Sequence, residues 1–332
     1  MKSNFFPLIK NKVKDIKNSN FSVIIGSSPS KGARSPALWN KVYKKMNLSC
    51  TMFPLDVEEK KLKLLINKLK LNKYFIGGSV TIPYKSKIIK FINSIDPVAK
   101  RIGSINTIIK IKDNRLFGTN TDYYGCSSTL KKIKLKNKDK ILIIGLGGAG
   151  KACFFSALNI YKNNSIYLFN RSYKQAEKFI KNFTAKNIKL IKSYDDLKKI
   201  KDIKLIINTT SVGFDSWFFR NKFYYNLKYF SPLSDLKKLR LVKSKNENEF
   251  VKKNLLLIKD NIIKSYKFFQ NNKEAIVFDI IYNPQRTVLQ NICLLFNKNI
   301  FNGLNMNLEQ AVLGFSKVNN IGDLNKIRKL MF

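Results

Sequence analysis

The sequence contains no histidine, the side chain that most often carries protons or binds zinc in enzymes. Ser/His/Asp triads and most zinc-based catalysis are therefore excluded. The four cysteines lie far apart without a CxxC pair, so neither a zinc site nor a disulfide framework is indicated. Any proton donor in this chain has to be Lys, Asp, Glu, Tyr or Cys.

Long apolar runs are also absent. No run reaches the roughly 18 residues that a helix needs to cross a bilayer. Lysines stand in residues 1–20, where a signal peptide has its apolar stretch. We therefore expect a cytoplasmic protein that does not bind membranes, although a lysine-rich start also suits an organelle transit segment, which stays an open alternative.

Acidic residues are scarce, because 21 Asp and Glu stand against 63 Lys and Arg and leave a formal net charge of +42. Clustered cations bind nucleic acids and anionic membranes. Here the lysines occur in nearly every segment, which gives a general positive field and no defined footprint. We expect no specific nucleic-acid partner and keep nucleic-acid binding, which would be steeply salt-dependent, as the least favoured alternative.

The length of 332 residues and the 44% hydrophobic content are typical of two compact domains. Short β-rich runs alternate with amphipathic runs, which predicts an α/β protein. The predicted strands are residues 21–26, 50–55, 74–82, 105–111, 141–144, 165–171, 203–211 and 275–284. The predicted helices are residues 36–46, 60–71, 85–92, 172–182, 194–200 and 304–317, with another after Asp122. Residues 134–140 are interpreted as a surface linker, and residues 215–272 show no firm periodicity.

A glycine-rich turn follows the strand at 141–144 and opens a helix, which is the context of a dinucleotide-binding motif. Small residues let backbone N–H groups approach a pyrophosphate, and the helix N-terminus adds partial positive charge. The predicted cofactor-binding residues of this turn are Gly145, Gly147, Gly148, Ala149 and Gly150. The alternative is a tight turn without a ligand.

The end of the next strand decides between the two nicotinamide cofactors. A carboxylate there would accept the adenosine ribose hydroxyl of NAD, whereas cations receive the 2′-phosphate of NADP. The segment carries no carboxylate and includes Asn170, Arg171, Ser172 and Lys174. Because a guanidinium can grip phosphate through two hydrogen bonds, the sequence favours NADP(H).

Several further segments occur in an order that resembles the shikimate dehydrogenase family. Their motif sequences are most similar to those of eukaryotic-type domains. They are SPALWN (35–40), SVTIPYK (79–85), IGSINT (102–107), GTNTDYYG (118–125), INTTSVGF (207–214), VFDIIYNPQRT (277–287) and NGLNMNLEQA (302–311). The resemblance implies an α/β substrate-binding domain, residues 1–121 completed by 303–332, and a Rossmann NADP-binding domain, residues 122–302. It implies a deep cleft between the two domains. The segment near residues 215–272 is longer than the corresponding connection in the family, which indicates an insertion.

The resemblance also implies the reaction, which is the reversible, NADPH-dependent reduction of 3-dehydroshikimate to shikimate. This oxidoreductase step belongs to the shikimate pathway, which leads to chorismate and the aromatic amino acids. The catalytic pair would be Lys85 and Asp122. The alternatives are that Lys85 is one more solvated lysine and that Asp122 caps a helix.

The family's other site residues can be placed on this sequence by motif. Those expected to bind the substrate are Ser35, Thr81, Asn106, Tyr282 and Gln310. Those expected beside the cofactor are Thr209, Ser211, Gly303 and Met306. Each could instead be a turn or core residue.

Three positions depart from the family pattern. Ala33 stands where a second serine would help to bind the substrate carboxylate, Asn307 replaces an apolar residue, and Ser79 replaces an asparagine common in bacterial members. The loss at Ala33 keeps open a quinate/shikimate dehydrogenase with altered substrate preference. A non-catalytic regulatory homologue is a further alternative, and either a monomer or a homodimer is expected.

Overall fold

The computed structural model describes residues 6–13, 19–185, 187–215, 217–220, 223–235, 244 and 246–332. The chain divides into two compact units, which are Met1–Ser128 with Met306–Phe332, and Thr129–Asn305. We call them the first unit and the second unit. Both points of division fall inside helices.

The strands of the described residues alternate with helices through most of the chain. The strands are β1 (Asn20–Gly26), β2 (Cys50–Asp56), β3 (Phe75–Val80), β4 (Ser94–Ile95), β5 (Thr107–Lys110), β6 (Leu116–Thr119), β7 (Lys140–Ile144), β8 (Ser165–Phe169), β9 (Ile188–Ile191), β10 (Ile203–Asn208), β11 (Trp217–Arg220), β12 (Phe223–Asn226), β13 (Ile276–Asp279) and β14 (Ile300–Phe301).

The α-helices are α1 (Ser35–Lys45), α2 (Leu62–Leu71), α3 (Pro97–Ile102), α4 (Thr121–Leu130), α5 (Gly148–Ile160), α6 (Tyr173–Ile180), α7 (Tyr194–Leu197), α8 (Glu247–Gln270), α9 (Val288–Leu295), α10 (Gly303–Asn319) and α11 (Leu324–Met331). Short 3₁₀ helices occur at Phe6–Leu8, Pro29–Lys31, Glu59–Lys61 and Lys87–Phe91. The predicted helix at 85–92 is therefore wrong in type, because only a 3₁₀ helix forms there.

The first unit is built on a mixed sheet with the strand order β2-β1-β3-β5-β6-β4. Strand β1 pairs in parallel with β2 and β3, whereas β5 is antiparallel to both β3 and β6. One apolar cluster includes Val23, Leu55 and Leu65, and another joins Trp39 of α1 to Phe315 of α10. Helix α10 is thus packed against the sheet of the first unit although it lies almost 200 residues further along the chain than that sheet.

The second unit contains a parallel sheet with the strand order β14-β13-β10-β7-β8-β9. Counted along the chain from β7, this is the doubly wound 3-2-1-4-5-6 order of dinucleotide-binding folds. The order reverses between β7 and β10, so the loops that follow these two strands lie at the switch point where such folds bind ligands. The glycine turn and Thr209 occupy those two loops.

Residues 215–272, where the sequence shows no firm periodicity, contain the hairpin β11–β12 and the 24-residue helix α8. Helix α8 begins at Asn246, whose side chain accepts a hydrogen bond from the Glu249 amide at 3.0 Å. Phe250 and Phe269 are fully buried on its inner face. Among the helices of the described residues, none combines the length and the apolar character that a membrane span requires.

Candidate active site

Lys85 lies in the turn that follows β3 in the first unit. Its neighbour Tyr84 is buried and donates a hydrogen bond to the Val57 carbonyl at 2.7 Å, which anchors the turn in the core. The Lys85 carbonyl accepts a hydrogen bond from the Ile105 amide at 2.8 Å. These two hydrogen bonds hold the backbone around Lys85 in place, so the position of its ammonium group depends on the side-chain conformation.

Asp122 is the second residue of α4. The cap of this helix is Asn120, whose side-chain oxygen accepts a hydrogen bond from the Tyr123 amide at 3.1 Å. The alternative that Asp122 caps the helix is therefore wrong. The position in the first turn still favours a carboxylate, because the helix N-terminus carries partial positive charge.

The structure brings the two predicted catalytic side chains into direct contact. Lys85 Nζ lies 2.6 Å from Asp122 Oδ2, and the side chains are 15% and 6% exposed. A charge-assisted hydrogen bond of this length holds the ammonium and the carboxylate in a fixed geometry. The lysine side chain keeps the larger exposed fraction of the two.

Two of the predicted substrate-binding residues extend this contact. The Asn106 amide nitrogen lies 3.1 Å from Asp122 Oδ1 and 3.1 Å from Gln310 Oε1. Its oxygen accepts a hydrogen bond from the Thr121 amide at 2.6 Å, which fixes the orientation of the side-chain amide. The result is a buried polar network of Lys85, Asp122, Asn106 and Gln310 from four separate segments of the first unit.

Two other predicted substrate-binding residues, Ser35 and Thr81, belong to the first unit but lie outside this network. Ser35 is buried at the start of α1, and Thr81 is half-buried directly after β3. Within the described residues, neither side chain hydrogen-bonds to Lys85 or Asp122. Their roles in binding a substrate stay predictions.

The glycine turn of the second unit has the backbone that a dinucleotide site needs. Gly145 follows β7 with φ +97°, a conformation that L side chains rarely adopt. A Cβ at Gly150 would lie 2.6 Å from Thr209 Oγ1 and 2.8 Å from the Gly145 carbonyl. A Cβ at Gly147 would meet no atom within 4 Å. Two of the glycines are thus required by the fold, whereas the third keeps open space in front of α5.

This open space fits a dinucleotide pyrophosphate. Gly147 is the N-cap of α5, and Gly148 and Ala149 begin its first turn, whose N–H groups point toward the N-terminal end of the helix. Such a terminus binds an anion through its backbone and its partial positive charge. The residues present therefore fit the cofactor that the sequence predicted.

The loop after β8 carries the residues predicted to bind the adenosine end. Asn170 Nδ2 donates to the Ser172 carbonyl at 2.9 Å, and Ser172 caps α6. Arg171 and Lys174 are both exposed. Two cations at a strand end without a carboxylate form a surface suited to a phosphate.

The loops after β10 and β13 hold the remaining predicted residues of the second unit. Thr209 donates a hydrogen bond to the Gly145 carbonyl at 2.9 Å, so its hydroxyl braces the glycine turn. Ser211 is exposed. Tyr282 packs edge-on against Phe214 with ring centroids 6.2 Å apart. Gly303 and Met306 lie elsewhere, buried in the first turn of α10 after β14, and Met306 belongs to the first unit.

Comparison with known proteins supplies the family. A family model described as the shikimate dehydrogenase substrate binding domain matches residues 24–108. The chain is 30% identical over 285 residues to a Methanococcus maripaludis protein named shikimate dehydrogenase (NADP(+)), covering 85% of each chain. It is 29% identical over 281 residues to a Dictyoglomus thermophilum protein of the same name, covering 84% of each.

The chain belongs to the shikimate dehydrogenase family. The resemblance seen in the sequence motifs is therefore confirmed. The fold agrees, because the crystal structure of the Aquifex aeolicus shikimate dehydrogenase aligns with a TM-score of 0.69 at 23% identity, covering 95% of this chain and 98% of that one. At this identity the structural match speaks for the fold alone.

One feature of the polar network that sequence reasoning missed is the supporting role of Thr121. Its hydroxyl donates to the Gln310 carbonyl at 2.9 Å and accepts from Asn106 Nδ2 at 3.0 Å. It thereby ties α10 to Asn106, the residue directly before β5. The sequence already contained an indication of this role, because Thr121 directly precedes Asp122 in the motif 118–125.

A second missed feature is a fully buried carboxyl group, Asp279, at the end of β13. It accepts hydrogen bonds from Thr287 at 2.7 Å, from Asn208 at 3.0 Å and from the Ile281 amide at 3.1 Å. Burial raises the pKa of Asp279 to about 7, and the three hydrogen bonds act in the opposite direction. The group joins β10, β13 and α9 beneath the loop that carries Tyr282.

Proposed function

We propose that this chain is an NADP-dependent shikimate dehydrogenase that interconverts 3-dehydroshikimate and shikimate. The observation that carries the proposal is the contact of 2.6 Å between Lys85 and Asp122 in the first unit of a chain that belongs to this family. Relatives over 85% of the chain bear the name of this NADP-dependent enzyme. The chain is accordingly an oxidoreductase of the pathway to aromatic compounds.

Reduction of a ketone to an alcohol needs a hydride at carbon and a proton at oxygen. Lys85 can donate the proton, since its ammonium is the charged donor of the pair. Asp122 holds the ammonium in place and leaves Oδ1 on the side of Asn106. In the reverse direction the neutral amine of Lys85 takes the proton back from the hydroxyl.

The neutral amides of the network suit a substrate that carries several hydroxyl groups. Gln310 accepts from Asn106 and donates to the Asn307 carbonyl, and its amide keeps a second donor and a second acceptor position that can match a ring hydroxyl in either sense. Asn106, which we assign to the same substrate, orients it. An unmatched buried polar group costs about 1–3 kcal/mol, which gives such a site selectivity for the number and position of hydroxyls. We assign Ser35, Thr81 and Tyr282 to the same substrate.

NADPH, when bound, supplies the hydride. The glycine turn binds its pyrophosphate through the N-terminus of α5, and Arg171 with Lys174 binds the 2′-phosphate. Thr209 acts indirectly, because its hydroxyl holds the Gly145 carbonyl. We further assign Asn170, Ser172, Ser211, Gly303 and Met306 to the cofactor.

Other parts of the proposal concern the whole protein. We propose residues 1–121 with 303–332 as the substrate-binding domain and residues 122–302 as the NADP-binding domain. We propose a cytoplasmic monomer or homodimer with no specific nucleic-acid or membrane partner. Size-exclusion chromatography with light scattering measures the oligomeric state.

A second candidate function is that of a quinate/shikimate dehydrogenase, favoured by the methyl group of Ala33 in place of a serine hydroxyl. We expect the purified chain to oxidise NADPH faster with 3-dehydroshikimate than with 3-dehydroquinate, and to prefer NADPH to NADH. Steady-state kinetics with the four combinations of substrate and cofactor measures this. A preference for 3-dehydroquinate would favour the second candidate, and no turnover with any combination would favour a regulatory homologue.

A further inference from the structure

A cavity of about 290 Å³ lies in the first unit, outside the buried polar network of Lys85 and Asp122. Three helices of that unit, α4, α10 and α11, form its walls. The residues that line it are Tyr124, Glu309, Val312, Leu313, Lys317 and Leu324. None of them is assigned to the substrate or to the cofactor, so the cavity has no part in the proposed function.

The cavity and the polar network share two helices but no residues. Asp122 and Tyr124 stand two positions apart in α4, a spacing that turns their side chains about 200° around the helix. Helix α4 lies very close to α10 at Gly125, where an added Cβ would be 2.4 Å from the Met306 carbonyl oxygen. The cavity is therefore a separate site on helices that also carry the network.

The lining of the cavity is mainly apolar. Val312 is buried, Leu313 and Leu324 are half-buried, and Tyr124 is 45% exposed. The exposure of Tyr124 shows that the cavity opens to solvent. Because an apolar cavity of about 150 Å³ accommodates benzene, the larger cavity here has room for an aromatic ring with a short side chain.

The charged residues of the lining leave one cation without an acidic partner. Glu309 accepts hydrogen bonds from Arg328 Nε at 2.7 Å and from Arg328 Nη2 at 2.8 Å, so its negative charge is compensated. Lys317 is exposed, and no acidic side chain of the described residues forms an ion pair with it. The lining thus presents an ammonium group that can bind an anion.

Tyr124 adds a neutral donor to the lining. Burial and then the negative charge of Asp96 raise the pKa of the Tyr124 hydroxyl, which therefore keeps its proton at neutral pH. Asp96 does not line the cavity, and its carboxylate caps α3 by accepting a hydrogen bond from the Ala99 amide at 2.7 Å. A ligand in the cavity meets one ammonium and one hydroxyl beside apolar side chains.

We propose that this cavity binds a small aromatic carboxylic acid. The ring packs against the three aliphatic side chains, and the carboxylate is bound by the Lys317 ammonium and the Tyr124 hydroxyl. A polyhydroxy acid does not fit, because its hydroxyl groups would lose their water against apolar side chains. The site goes beyond the proposed function, since no residue of the polar network takes part in it.

Ligand-observed NMR titration of the full chain with 3-phenylpropanoate tests the site, and 3-phenylpropanamide is the matched ligand without a charge. We expect the acid to bind with a Kd of about 1 mM or tighter, an ordinary value for a ligand of this size. We expect the amide to bind about three- to tenfold more weakly, because it lacks the attraction to the ammonium. Excess shikimate leaves the bound acid in place, because the substrate binds elsewhere.

Two variants locate the acid in the cavity. Lys317→Gln raises the Kd of the acid about three- to tenfold and that of the amide less than about twofold. Its control is Lys329→Gln, a matched change at an exposed lysine of α11 outside the cavity, which leaves both Kd values unchanged. Leu313→Phe fills the cavity and weakens both ligands at least about tenfold. Circular dichroism verifies folding, and Lys317→Gln decides alone if Leu313→Phe does not fold.

The inference is overturned if the wild type does not bind the acid below about 10 mM. It is also overturned if Lys317→Gln and Lys329→Gln bind the acid equally, the result of general attraction to a chain with a net charge of +42. Displacement of the acid by shikimate would place it in the substrate site and overturn the inference too. Absence of turnover with shikimate and NADP contradicts the proposed function alone, so the two failures are distinguishable.

Discussion

Asp279 shows how one buried residue links the pH of the solution to the stability of the second unit. Its carboxyl group is fully buried, and burial raises its pKa from 3.8 to about 7. Below pH 3.8 the group is protonated in both the folded and the unfolded chain, so its contribution to stability is fully present. Between those values only the folded chain keeps the proton, and the contribution is lost as the pH rises through about 7.

We therefore predict that Asp279→Asn removes this loss. The asparagine is nearly the same shape, keeps an acceptor for Asn208 and the Ile281 amide, and can donate to Thr287. The free energy of unfolding of the wild type, minus that of the variant, should fall between pH 4 and pH 7 and level off above. Chemical denaturation of both proteins across this range measures the difference. A difference that is constant with pH would contradict the raised pKa.

The residues of the buried polar network in the first unit were largely predictable from the sequence, whereas the contacts of Asp279 were not. Lys85, Asp122, Asn106 and Gln310 stand in short motifs, and the structure joins all four by hydrogen bonds. Asp279 and Asn208 also stand in motifs, but the motifs do not indicate that the two side chains meet, because they lie 71 positions apart and pair only through adjacent strands. A contact of that range is set by the register of the sheet, which the local sequence does not reveal.

The strands of the two sheets follow the apolar pattern of the sequence. The largest element that this pattern did not predict is helix α8, and the reason is physical. Helix α8 buries Asn254, Asn261 and Ser265 on the same face as its phenylalanines. Asn261 accepts a hydrogen bond from the Ser231 amide at 2.7 Å, so the buried polar groups are satisfied. These residues interrupt the apolar stripe by which a helix is recognised. Leu255 and Leu256 on the outer face blur the pattern further.

In the β7–α5 element, Gly145 and Gly150 are required by the fold, whereas we propose that Gly147 leaves room for the cofactor. We predict that Gly147→Ala lowers the free energy of unfolding by no more than about 1 kcal/mol, because Ala is a poorer N-cap than Gly but its methyl group would meet no atom within 4 Å. The added methyl group occupies the space in front of α5, so the Kd for NADP should rise about tenfold or more, which corresponds to at least about 1.4 kcal/mol.

Gly150→Ala is the control for this prediction. Its methyl group would press on Thr209 and the Gly145 carbonyl, so it should destabilise the protein by about 1–3 kcal/mol. Denaturant titration and fluorescence titration with NADP measure the two quantities separately. A Gly147→Ala protein that binds NADP as tightly as the wild type would show that the open space is not used by the cofactor.

For the molecule as a whole, the sequence was sufficient to predict the fold class, the family and the cofactor. The order of the motifs along the chain indicated the family. The doubly wound strand order of the second sheet agrees with the dinucleotide-binding motif that the glycine turn predicted. The net charge of +42 was uninformative about function, because it arises from lysines spread along the chain. The contact between Arg34 and Asn307 was also beyond the sequence, since the two residues lie 273 positions apart and meet only through tertiary packing.

The central claim is that Lys85, held by Asp122, donates the proton for ketone reduction. It is tested most directly by comparing Lys85→Met with Lys87→Met, a matched change at an exposed lysine that pairs with Glu59 on the surface. With 3-dehydroshikimate and NADPH, the account predicts that kcat of folded Lys85→Met falls at least about 100-fold while Lys87→Met retains wild-type turnover. Equal turnover in the two variants would contradict it.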